Sequence, residues 1–392
     1  MKFELVIDSK PTEVVIALLK EGRLIELHKE KHDNNYSVGD IYLGKIKKIV
    51  PGLNAAFVGV GHEKDGFLHY LDLGSQVNSF KKFTDKTREK KLNTASLKNF
   101  RKEKNTLKEG KIQDVVKSGD HLMLQVSKEP ISSKGPRLST ELSFAGRYMV
   151  MIPFSDRVSI SQKIKSSEEK SRLKKLIHSI KPKGFGVIIR TVAEGKKVAE
   201  LDTDMKNLYK KWQIIFKKLK TANLNERIHG EMNRSSVILR DLLNSGFSKI
   251  HVNSPEIHAE LKEYLSRISP DQEKIVKLYK GEVPIFQKMN ITQQVKSSFG
   301  KTASMKSGAY LVIEHTEALH VIDVNSGKKV DVTKDQEANA LTVNLEAAEE
   351  VARQLRLRDM GGIIVVDFID LKQEKNRKLL TEKMKEAMST DK

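Results

Sequence analysis

The chain has 392 residues, no cysteine, and 71 Lys and Arg against 51 Asp and Glu, a formal net charge of +20. Without cysteine it holds neither a disulfide scaffold nor a thiolate-ligated zinc site. A content of 38 % hydrophobic and 31 % charged residues is that of a folded protein of several domains, not of a disordered tail. The positive excess attracts polyanions, most often nucleic acid, although lysine serving only solubility would give the same figure.

Residues 1–8 read as a strand, with acidic residues inside any signal core and no small-residue cleavage site, so the expected location is the cytoplasm. No stretch is apolar enough to span a membrane. Residues 3–8 and 23–29 form two predicted strands, joined by the helix-tolerant 14–19 and a turn at Glu21-Gly22. From 39 to 128, short strands with frequent glycines suggest a small barrel, with strands in 41–50, 55–61, 66–68 and 112–126. A Lys- and Arg-rich segment, 77–108, interrupts it as a mobile or helical insertion within one domain.

Residues 129–235 mix a strand at 148–152, a charged helix at 167–180, a strand entering Arg190-Thr191 and a long basic helix around Trp212, which suggests an α+β domain. Residues 236–295 alternate helix and strand as a further α/β layer. In 296–392, strands at 309–313 and 318–324 and a helix at 344–358 precede the apolar run 363–366. That run lacks alternation, which predicts a central strand covered on both faces. A charged helix ends the chain.

Two aspartates emerge from apolar strands: Asp323 in Val321-Ile322-Asp323-Val324-Asn325, and Asp367 in Val365-Val366-Asp367-Phe368. A carboxylate there loses hydration unless a cation or hydrogen bonds replace the water. Two of them at adjacent strand ends can share one Mg²⁺, leaving its other positions to water and a substrate phosphate. Asn325, on the same strand face as Asp323, could orient that carboxylate. Helix caps or turns are the structural alternative for both aspartates, and Asp370 fits either a ligand or an N-cap.

Phe57 and Phe67 lie beside glycines in the barrel, where aromatics either stack on unpaired bases or fill the core. Lys134 and Arg137 follow it in a loop that could grip phosphates or simply be solvated. Arg190 with Thr191 suits a terminal phosphate or a structural ion pair, and the basic helix at 206–220 fits a solvated face. Gly300-Lys301-Thr302 resembles the end of a P-loop, but Val295 stands where its first glycine is required. There is no His-Glu-x-x-His or Gly-x-Ser-x-Gly sequence, and the eleven histidines are scattered.

Several runs together resemble the ribonuclease E/G family of bacterial endoribonucleases over nearly the whole chain. They are Ile41-Tyr42-Leu43-Gly44-Lys45-Ile46, Ala55-Ala56-Phe57-Val58, Gly66-Phe67-Leu68, Leu311-Val312-Ile313 with Glu317-Ala318-Leu319, and Ile322-Asp323-Val324-Asn325-Ser326. The helix from Asn344 through Arg353-Gln354-Leu355-Arg356-Leu357-Arg358-Asp359, leading into Gly361-Gly362-Ile363-Ile364-Val365-Val366-Asp367-Phe368-Ile369-Asp370, completes them.

The resemblance implies a multidomain α/β and α+β protein. An RNase H-like subdomain (1–38 and 236–295) is split around an inserted OB-fold, the S1 motif (39–128). A 5′-sensor domain (129–235) and a DNase I-like metal subdomain (296–392) follow. By the same resemblance, Asp323 and Asp367 bind a catalytic Mg²⁺ with Asn325 hydrogen-bonded beside them, and Phe57, Phe67 and Lys134 line an RNA channel. Arg190 and Thr191 bind a 5′-monophosphate, with backbone help near Gly146 and Val150.

The activity so implied is Mg²⁺-dependent cleavage of single-stranded RNA, preferably 5′-monophosphorylated, to 5′-phosphate and 3′-hydroxyl ends, in rRNA maturation and mRNA turnover. The alternative is a non-catalytic RNA-binding protein. Three departures stand out: the family's Cys-Pro-x-Cys zinc link between protomers of a homodimer is absent, the metal subdomain reads as truncated, and Gln162-Lys163 replaces a basic pair found in some sensors.

Overall fold

The computed structural model describes residues 2–31, 36–231, 234–242, 246–327 and 335–389. It divides into two compact units, residues 1–32 with 243–392 and residues 33–242.

The first unit opens with β1 (Phe3–Ser9), β2 (Glu13–Lys20) and β3 (Arg23–Lys31). Residues 14–19 are therefore strand, not a helix-tolerant connection. β2 pairs antiparallel with both neighbours and buries every residue from Val14 to Leu19. Pairing on two sides decides what local propensity leaves open.

In the second unit, β4 (Ile41–Val50), β5 (Ala55–Gly59), β6 (Gly66–His69), β7 (His121–Lys128) and β8 (Arg137–Ser139) form a five-stranded, barrel-like sheet. Its order is β4-β5-β6-β8-β7, and β4 also pairs with β7, an OB-like closure. The sheet thus takes in β8, beyond residue 128. The basic segment is helical over α1 (Val77–Arg88) and joins the core. Phe83 packs 5.1 Å from Trp212 and 5.6 Å from Phe154, and Phe100 also lies against Phe83. Its phenylalanines face inward while Lys86 faces water and Lys81 and Lys82, half-buried, pair with Asp120 and Glu103, as an amphipathic segment allows.

A second sheet, in the order β11-β12-β10-β9, uses β9 (Phe144–Ala145), β10 (Met149–Pro153), β11 (Val158–Ile160) and β12 (Phe185–Ile189). Two helices accompany it, α2 (Ser167–Ile180) and α3 (Val198–Leu219). α3 buries Leu201, Met205, Leu208, Trp212 and Ile215 and leaves Lys206, Lys210, Lys217 and Lys218 exposed, the solvated basic face expected of it. β13 (Arg227–His229) pairs with β4, and α4 (Arg234–Leu242) follows.

The first unit resumes with β14 (Phe247–Val252), α5 (Pro255–Ile268) and β15 (Val276–Leu278), giving one sheet in the order β15-β14-β1-β2-β3. After α6 (Ile285–Lys288) and α7 (Ile291–Ser298) comes another sheet, of β16 (Thr302–Ser304), β17 (Tyr310–His315), β18 (Leu319–Asn325) and β19 (Ile363–Asp367) in that order. α8 (Gln336–Leu357) and α9 (Glu374–Met388) complete it. Ala347, Val351 and Leu355 of α8 cover Leu311, Ile313, Ile322 and Val324 on one face.

The expectation of a central strand at 363–366 is corrected here. β19 is the edge strand, with Ile363 65 % and Val365 47 % exposed, while Ile364 and Val366 pack inward. Its hydrophobic run hides a true alternation, because only one face of this sheet is covered by helices.

Candidate active site and nucleic-acid interface

β18 and β19 run parallel with Asp323 directly opposite Asp367. The pleat turns Ile322 and Val324 toward α8 and sends both carboxylates to the open face, where they are exposed. Neighbouring strands lie about 4.8 Å apart, so the two acids stand side by side. Asn325 Nδ2 donates to Asp323 Oδ2 at 2.7 Å, fixing one oxygen and leaving the other free to turn outward. Among the described residues neither aspartate forms an ion pair, and no third His, Cys, Asp or Glu joins them. Two unpaired carboxylates facing water are a donor set that suits a hard divalent cation, with water and substrate oxygens completing its shell. Asp370 is exposed and is not a cap: the N-cap of α9 is Gln373.

The backbone just past Asp367 is held by Asn344, a fully buried residue of α8. Its Nδ2 donates to the Ile369 carbonyl at 2.7 Å, and its Oδ1 accepts the Ile369 N–H at 3.0 Å. Sequence reasoning missed this clamp. Its only signal is an amide inside an otherwise apolar helix face.

On the barrel, strand register assembles a row across five strands. Lys48 lies opposite Phe57, Phe57 opposite Phe67, Phe67 opposite Arg137, and Arg137 opposite Lys128. The two phenylalanines meet edge to face with centroids 5.9 Å apart and stay half-exposed, and His69 stacks beyond Phe67 at 6.4 Å. Arg137 is engaged by Asp72 through Nε at 2.8 Å and Nη2 at 3.1 Å, so it braces the row. Lys134 is exposed in the adjoining loop, its N–H donated to the Ile131 carbonyl at 2.9 Å. Gly135 keeps that loop close: a Cβ there would meet the Asp65 carbonyl at 2.2 Å.

Arg190 and Thr191 leave β12 beside Gly146. Arg190 Nη1 donates to the Gly146 carbonyl at 2.9 Å and forms an ion pair with Asp241 at 2.8 Å. Burial acts to raise the Asp241 carboxyl, but Arg240 and Arg190 outweigh it and hold it below the ordinary carboxylate range. Thr191 Oγ1 is 2.9 Å from Ser161 Oγ. Gly146 donates its own N–H to the Met149 carbonyl at 2.8 Å, and its missing Cβ makes room for Asp204, whose carboxylate accepts the Tyr148 N–H at 2.8 Å. Val150, half-exposed in β10, sits opposite Ile188, two positions before Arg190. The structure thus joins Arg190 to Gly146 directly, and it supplies Asp241, which the sequence did not point to.

Comparison with known proteins finds relatives along the whole chain. The profile of the Ribonuclease E/G family matches residues 143–392. Ribonuclease G of Haemophilus influenzae is 33 % identical over 388 residues, covering 99 % of this chain and 75 % of that protein. Ribonuclease G of Escherichia coli K12 is 32 % identical over 391 residues, covering 100 % and 76 %. Ribonuclease E of Haemophilus influenzae is 34 % identical over 395 residues, covering 100 % of this chain and 40 % of its own length.

Proposed function

Because the chain belongs to the ribonuclease E/G family and is an endoribonuclease, we propose that it cuts single-stranded RNA at Asp323 and Asp367 with Mg²⁺, leaving 5′-phosphate and 3′-hydroxyl ends. The observation that carries this reading is the in-register pair of exposed carboxylates on the open face of the β18–β19 sheet, with no ion-pair partner among the described residues. A divalent ion bound there supplies Lewis-acid polarisation of the scissile phosphate and a more acidic water. Asp323 and Asp367 hold that charge in place, and Asn325 fixes the rotamer of Asp323. Phe57 and Phe67 offer ring faces to unpaired bases, with Lys48 and Lys134 beside the backbone. Arg190, aimed by Asp241, and Thr191 read a 5′-monophosphate.

In this reading residues 1–38 with 236–295 are the RNase H-like subdomain, 39–128 the S1 motif, 129–235 the 5′ sensor and 296–392 the DNase I-like subdomain. The interruption of the first unit by residues 33–242 supports that order. The work of such an enzyme is rRNA maturation and mRNA turnover in the cytoplasm.

The test is cleavage of a 5′-monophosphorylated single-stranded oligonucleotide in Mg²⁺ and in EDTA. Internal cuts in Mg²⁺ alone are expected, and both Asp323→Asn and Asp367→Asn should abolish them with little loss of RNA binding. Cuts retained in either variant would remove that aspartate from catalysis, and cuts in EDTA would remove the metal.

A further inference from the structure

The β17–β18 hairpin carries two histidines that the chemistry above does not use. Its turn is closed by the Thr316 N–H donating to the Leu319 carbonyl at 2.9 Å and the Leu319 N–H donating to Thr316 Oγ1 at 3.1 Å. One step along the ladder His315 lies opposite His320. The rings meet nearly at right angles, with centroids 4.7 Å apart, planes at 87° and Nδ1 to Nδ1 at 2.7 Å. At that distance one ring donates its Nδ1–H and the other accepts. Neither histidine has a carboxylate partner among the described residues, and Glu314 beside them is taken by Lys301 at 2.6 Å.

We propose that His315 and His320 form a two-point binding site for a late first-row divalent cation, Ni²⁺, Cu²⁺ or Zn²⁺. Imidazole nitrogen suits these ions, whereas the carboxylate oxygens of Asp323 and Asp367 suit Mg²⁺, so the two sites sort cations by chemistry. Two nitrogens each about 2.0–2.1 Å from one ion, at a right angle, stand about 2.9 Å apart. The observed pair needs only a small opening, which rings at the end of an exposed hairpin can make.

On binding, the donor ring moves its proton to Nε2 and both Nδ1 lone pairs turn to the ion, so the neutral pair loses no proton. Water fills the remaining positions. The hairpin already holds both ligands on neighbouring strands, so little ordering opposes binding. His320 and Asp323 lie three residues apart on β18 and hence on opposite faces, which lets both sites fill together. The bound ion would tie β17 to the strand that carries Asp323 and Asn325, and it would stabilise the fold by mass action.

The test is calorimetric titration of the full, untagged chain with NiCl₂ in excess MgCl₂. One Ni²⁺ per chain is expected, together with a higher melting temperature. His315→Asn and His320→Asn should each weaken binding by at least about tenfold while leaving the metal-free melting temperature unchanged. Full-strength Ni²⁺ binding in either variant, or none to the original chain, would overturn the site. The variants lie on different strands, so a folding defect in one leaves the other to decide.

Discussion

Lys48 owes its place to a bulge. The β4–β5 ladder shifts between Ile46 and Lys48; Lys47 is taken by Asp65 at 2.6 Å, and Lys48 is left exposed beside Phe57 with no anionic partner among the described residues. A free ammonium next to a stacking ring suits the phosphate of the nucleotide stacked there. Lys48→Ala should therefore flatten the dependence of log affinity on log salt by about 0.7, the value of one phosphate contact on a single strand. Phe57→Ala should cost about 1–3 kcal/mol of binding with the slope unchanged. Fluorescence anisotropy with a labelled oligonucleotide over a salt series, in an Asp323→Asn background, reads both; an unchanged slope would take Lys48 off the RNA path. The phenylalanines stood out in the sequence through the nearby Gly59 and Gly66. Lys48 was not, because Ile46-Lys47-Lys48-Ile49 carries no mark of the bulge. Asp323 and Asp367 were visible as acids ending apolar runs, but Asp241, the partner of Arg190, follows another arginine in a helix and looks like any surface charge.

At the level of elements, α8 does more than cover a sheet. It begins at Gln336, capped by Asp335, well before the helix start expected near residue 344, and this longer reach brings Asn344 into its middle. Because Asn344 satisfies both backbone groups of Ile369, Asn344→Ala would leave a part-buried N–H and C=O without these partners, at a cost of about 1–3 kcal/mol. The strand end bearing Asp367 would loosen with it. Denaturant midpoints should fall, and the catalytic rate constant should drop with RNA affinity unchanged; an equal loss of affinity would mean that Asn344 acts on the fold alone. Patterning read most helices and strands well, since α2 spans the expected 167–180. It failed where pairing partners decide the outcome, as at β2 and at the edge strand β19.

For the whole molecule, the barrel and the sheet that follows it rest on one another within the second unit, and His229 is a measure of that packing. It sits in β13 near Phe144, at a ring distance of 6.5 Å. Burial, reinforced by Lys211, pushes its pKa down from 6.5 to about 4. Between those two values the unfolded chain binds a proton that the folded chain refuses, so stability rises with pH and is lost on acidification from about 6.5 toward 4. The loss should be about 2 kcal/mol at about pH 5. Urea unfolding followed by Trp212, the single tryptophan, reports on this unit. His229→Gln should remove most of that pH dependence, and an unaltered profile would place its origin elsewhere.

The side-by-side seating of Asp323 and Asp367 has a further consequence. In a strand, consecutive side chains point opposite ways, so sliding β19 by one position would drive Asp367 into the greasy underside beneath α8 and expel Val366 into water. Misplacing the acid and turning the sheet inside out are the same event. The facing geometry of the two acids is therefore set by the same register that buries Ile364 and Val366, and no local slip can separate one from the other.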